Sequence, residues 1–61
     1  MVTLWFKPGA AKLQVVKAIK ETIAINLRDA RDAVELGRVT CEEADRQMLT
    51  DAIEVAGGIV E

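Results

Sequence analysis

At 61 residues the chain has room for one domain, spanning 1–61. Its single cysteine and its lack of histidine exclude an internal disulfide and leave too few ligands for a Cys/His zinc site. The 51% hydrophobic and 30% charged composition is that of a packed globule, not a disordered chain, and the net charge of −2 hides an asymmetry. Residues 1–38 carry seven Lys/Arg against four acids, giving +3, whereas residues 39–61 carry one Arg against six acids, giving −5. A surface polarised in this way suits the steering of a charged protein partner. Nucleic acid is the weaker expectation, since stacking platforms need aromatics and only Trp5 and Phe6 are on offer.

No run reaches the roughly 18 apolar residues of a membrane helix. The opening MVTLWFKPG has neither the basic start nor the apolar core of a signal peptide. The expectation is a cytoplasmic protein with no membrane contact and a reduced thiol.

The first element is VTLWF, residues 2–6, β-branched and aromatic, which reads as a strand stopped by Pro8-Gly9. Alternation puts Val2, Leu4 and Phe6 on one face, expected to be the core, and Thr3 and Trp5 on the other. From residue 11 to about 23 the period becomes helical. At about 100° per residue, Val15, Ala18, Ile19 and Thr22 share a stripe expected to face the sheet. Leu13, Val16, Lys17 and Lys20 lie on the opposite side.

Asn26 is a good N-cap for a second helix, with Asp29 at its third position and Leu27, Ala30 and Val34 as its apolar side. That helix stops at Gly37. The connection Gly37-Arg38-Val39 has room for no more than a stub of strand. Thr40-Cys41-Glu42-Glu43 has the spacing of a capping box and predicts a third helix starting there. Ala44, Met48, Ala52 and Val55 recur along it at helical spacing, with Leu49, Ile53 and Ala56 beside them. Gly57-Gly58 ends that helix, and Ile59-Val60 supply a short final strand beside the first. The predicted order is β-α-α-(β)-α-β, an α+β domain with three helices on one face of a small antiparallel sheet.

Leu13 and Val16, rimmed by Lys12, Lys17 and Lys20, form either a partner surface or a patch covered by another element such as the second helix. Three lysines are costly to enclose, which favours a partner surface. Trp5 on the open side of the sheet packs against the sheet itself or serves self-association, since covering a bare face in a homodimer stabilises a small domain. Cys41 would lie in the first helical turn, where the dipole lowers a thiol pKa, but Glu42 and Glu43 oppose that and no base is at hand. The carboxylate pairs Glu42/Glu43 and Asp29/Asp32 are accounted for by capping and solvation. No nucleophile, base and oxyanion site assemble, so no enzyme, metal or cofactor is expected.

KLQVVKAIK, IAINL and RDARDAVE, which run without a gap over residues 12–35, resemble the C-terminal domain of the acidic stalk protein of the bacterial large ribosomal subunit. That family has a Lys-aliphatic-x-Val-Ile-Lys-x-Val-Arg run, a Gly-Leu-Gly-Leu turn and Lys-Glu-Ala-Lys-Asp-Leu-Val-Glu. VTCEEA and VAGGIVE are similar to its Val-Ser-Lys-Glu-Glu-Ala and its closing segment. The resemblance implies the stalk C-terminal domain (ClpS-like) fold. It also implies a surface on the first two helices for translational GTPases, at positions corresponding to Lys12, Leu13, Val16, Lys17, Lys20 and Arg31. The same fold occurs in the Clp protease adaptor, whose substrate pocket relies on a histidine absent here. A stand-alone adaptor or inhibitor, phage-borne or bacterial, acting on a non-ribosomal machine is therefore the alternative.

Three departures stand out. Ala24 and Asn26 replace the glycines of the turn, the segment before the third helix is several residues shorter, and the N-terminal dimerisation domain and hinge are not among these residues. Attachment to the stalk in the family's way is therefore not expected of these residues alone.

Overall fold

In the computed structural model, which describes all residues 1–61, Leu4 and Phe6 are buried while Thr3, Trp5 and Lys7, which alternate with them, are exposed. The strand that carries them, Val2–Lys7 (β1), therefore buries one face only. Two helices follow, Lys12–Ile23 (α1) and Leu27–Leu36 (α2), then the strand Arg38–Cys41 (β2). A 3-10 turn at Glu43–Asp45 leads into Arg46–Val55 (α3), and Ile59–Val60 (β3) completes the chain of elements. The sheet order is β2-β1-β3, antiparallel throughout, with Val2 opposite Cys41, Trp5 opposite Arg38 and Phe6 opposite Val60. The helices cover one sheet face, where Leu4, Phe6 and Val39 share a core with Val15, Ile19, Ala30, Val34, Leu49 and Ile53.

The α1 stripe of the sequence reading is inward: Val15 and Ile19 are fully buried, and Ala18 and Thr22 are half-buried, with the Thr22 hydroxyl donating to the Ala18 carbonyl at 2.7 Å. Asn26 caps α2, its Oδ1 accepting the Asp29 N–H at 2.8 Å. Ala24, where the family has glycine, adopts φ 53° and ψ 39°, the left-handed region that ends α1. Gly37 ends α2 at φ 73° and accepts the Phe6 N–H at 2.9 Å, so that β2 begins at the next residue. A Cβ there would stand 3.1 Å from the Phe6 carbonyl oxygen.

Three details depart from the expectation. The middle strand is no stub: β2 pairs with β1 over four residues, whereas β3 contributes two. The Thr40 capping box does not form, because Thr40 is paired with Thr3 in the sheet. Helical geometry starts only at Glu43, and no side chain caps either the 3-10 turn or α3. The inner stripe of α3 is Leu49 and Ile53, with Ala52 and Ala56 half-buried. Ala44 is exposed, and Met48 and Val55, 57% and 89% exposed, stand about 100–120° away from the stripe around the helix. On α2, Leu27 is likewise half-exposed, and Ala33 takes its place in the core.

Candidate partner-binding face

Leu13 projects from the first turn of α1 at 79% exposure. Val16, one turn on, is 5% exposed and belongs to the core, because α2 packs across it. Of the two alternatives for this pair, cover by the second helix holds for Val16 and exposure holds for Leu13, so the patch becomes a wall and a floor. Between the helices runs a cleft of about 260 Å³ lined by Lys12, Leu13, Val16, Arg31, Val34 and Glu35. Four of the six positions named from the sequence thus converge there. Lys17 and Lys20 lie outside the cleft, exposed and further along α1 on the side of Leu13.

Val34 and Glu35 were not named as site residues. Val34 is buried in the core and closes the floor beside Val16, and exposed Glu35 puts an acid on an otherwise cationic rim. Their spacing from Arg31, three and four residues on one helix, was the available signal. A second, shallower hollow of about 460 Å³ continues along α2 past Leu27, Arg28 and Asp32, sharing Arg31 and Glu35 with the cleft.

Lys12, Lys17, Lys20 and Arg31 form no ion pair; the one salt bridge of the molecule joins Lys7 to Glu61 at 3.8 Å, between exposed groups. The four cations of the face are thus available to an acidic surface, while the cleft offers apolar contact at about 25 cal/mol per Å² buried.

Trp5 stands on the open face of the sheet at 51% exposure, with the Arg38 guanidinium 5.6 Å from its ring centre. Ile59, opposite Lys7, adds a second exposed apolar residue to that face. Cys41 is not in a helical turn: it ends β2, buried, and burial pushes its thiol pKa up, with the Asp45 carboxylate adding to the shift. No group of three or more His, Cys, Asp or Glu side chains is placed to hold a metal ion, and no helix is long and apolar enough to cross a membrane.

No family model matches the chain, and no solved structure does. Curated relatives do. The Large ribosomal subunit protein bL12 of Porphyromonas gingivalis is 46% identical over 57 residues, covering 87% of this chain and 46% of its own length. The proteins of the same name from Phocaeicola vulgatus and Bacteroides fragilis are 42% and 40% identical over the same shares. The chain therefore spans about half the length of the curated relatives it matches. Residue pattern, element order and identity agree: the chain belongs to the bacterial ribosomal stalk family, matching its C-terminal domain.

Proposed function

We infer that this domain is a non-enzymatic protein-interaction module of the stalk type, working in the cytoplasm. It binds a translational GTPase or a similarly acidic protein through the face built by α1 and α2. The reading rests on one observation above all: a cleft with exposed Leu13 as its wall and Val16 as its floor, bordered by Lys12 and Arg31 and extended along α1 by Lys17 and Lys20, four cations that have no ion partner within the domain. Lys12 and Arg31 flank the cleft, and Lys17 and Lys20 extend the cationic side along α1, steering encounter and setting orientation. Self-association is a second property in this reading, with Trp5 on the side that meets the other copy.

Capture of cytoplasmic proteins on the immobilised domain tests the reading. Translational GTPases are expected among the bound proteins and are expected to be lost with Lys17→Glu/Lys20→Glu. Their absence from the unmodified domain's eluate, or capture of a different machine in their place, rejects the stalk-type partner in favour of an adaptor or inhibitor. Equal capture by the reversed variant rejects the face.

A further inference from the structure

β2 is an edge strand, and the register decides which of its backbone groups are free. The Phe6 N–H donates to the Gly37 carbonyl at 2.9 Å, so that carbonyl turns toward β1, while the Gly37 N–H stays with α2 and donates to the Ala33 and Val34 carbonyls. In an antiparallel ladder the direction alternates. Val39 and Cys41, opposite Leu4 and Val2, therefore bond inward, and Arg38 and Thr40 present N–H and C=O to the outside. Glu42 is still extended at φ −74° and ψ 149°, so its N–H points outward as well, although its carbonyl accepts the Asp45 N–H at 2.9 Å. Residues that bond outward thus occur at 38, 40 and 42.

The side chains at those positions share the open face of the sheet and are exposed. They read positive, neutral, negative. Run antiparallel to itself about Thr40, that series is self-complementary: Arg38 meets Glu42, Thr40 meets Thr40, and on the core side Val39 meets Cys41. Other registers that keep face against face give Arg38 opposite Thr40, Arg38 opposite Arg38, Thr40 opposite Glu42 or Glu42 opposite Glu42. Only the register centred on Thr40 sets opposite charges across both ends. Arg38 and Glu42 have no ion partner within the domain, and the Trp5 ring already holds the Arg38 guanidinium on the open face. The edge carries no proline, and its register against β1 is unbroken by a bulge, so two common devices against strand addition are absent.

We propose that the protein self-associates by antiparallel pairing of β2 with the β2 of a second copy across a two-fold axis at Thr40, Arg38 of each copy facing Glu42 of the other. The result is a six-stranded sheet with a continuous open face. This deepens the self-association proposed above, and Trp5 enters it as the residue that positions Arg38. The seam consists of one short edge strand from each copy, so the association is weak and grows with concentration.

Sedimentation and amide exchange on the 61-residue protein at low salt, from dilute to millimolar, test this. Dimer is expected to appear with concentration, and the Thr40 and Glu42 amides are expected to gain protection while Val39, already bonded inward, does not. Arg38→Glu and Glu42→Arg, which place like charges opposite each other twice, each weaken association about tenfold. Combining them restores it. Thr40→Pro abolishes it, with circular dichroism reporting the fold, since an edge strand tolerates proline where its N–H points outward. A monomer at every concentration overturns both this proposal and self-association itself. Association that survives Thr40→Pro and both charge reversals but is lost with Trp5→Ser leaves self-association standing through the open face and overturns the edge pairing. Failure of the double reversal to restore association overturns the register.

Discussion

Leu13 and Val16 stand one turn apart on α1, and α2 separates their fates: Leu13 is 79% exposed and Val16 5%. Truncating each therefore has a different consequence. Val16→Ala is expected to destabilise the domain by about 2 kcal/mol, the range for removing buried methyl groups. Leu13→Ala is expected to change stability by less than about 0.5 kcal/mol. It should nonetheless weaken partner binding about tenfold, as loss of an apolar anchor does. Urea unfolding and binding titration on the two variants check the pair, and equal destabilisation would contradict the wall-and-floor arrangement.

Ala24 at φ 53° holds a left-handed conformation that costs an L-residue with a Cβ roughly 1–2 kcal/mol. Ala24→Gly removes that strain and gives back part of it as extra freedom in the unfolded chain. The expected net is a gain of about 1 kcal/mol, read as a rise of about 5 °C in thermal midpoint for a domain of this size. Ala24→Val should move the midpoint the other way.

Gly58 is buried, and its requirement is for space: a Cβ there would fall 2.7 Å from Ile53 Cγ2 and 3.2 Å from the carbonyl oxygens of Ile53 and Lys7. Neither carbonyl yields without disturbing α3 or β1. Gly58→Ala is expected to cost about 1–3 kcal/mol, as overpacking does. A denaturation midpoint unchanged from the parent would show that β3 shifts freely.

Cys41 has its thiol pKa raised by burial first and by Asp45 second. The folded protein therefore keeps its proton at a pH where the unfolded chain, near the ordinary thiol value of about 8.5, has lost it. The contribution of this group to stability is complete below that pH and is lost as pH rises through the higher folded-state value. Urea midpoints from pH 7 to 10 should show this alkaline fall, and Cys41→Ala should lack it. Alkylation by iodoacetamide at pH 8 should be slow until denaturant is added.

Alternation, caps and glycines made most of the fold legible in the residues. Leu4 and Phe6 alternate with exposed neighbours, Asn26 caps its helix, and Gly37 stops it. The capping box misled because local spacing cannot register that Thr40 is engaged by Thr3, thirty-seven residues away, in the sheet. Met48 and Val55 misled because their spacing fits a helical stripe as well as that of Leu49 and Ile53; which stripe turns inward depends on where α3 lands on β1 and β3. The candidate face was legible as a pattern of charge around Leu13, whereas the burial of Val16 depends on how closely α2 approaches α1, a tertiary distance no periodicity encodes.

The sheet order places β1, the earliest strand, in the centre. During vectorial synthesis its edges stay unmatched for a long interval: one finds its partner only when residues 38–41 emerge, the other only with residues 59–60. Until then α1 and α2 can pack on each other but lack most of the surface they shield. Sheet completion is thus a late, non-local step governed by loop-closure entropy, and the helical pair carrying the candidate face waits on it for rigidity.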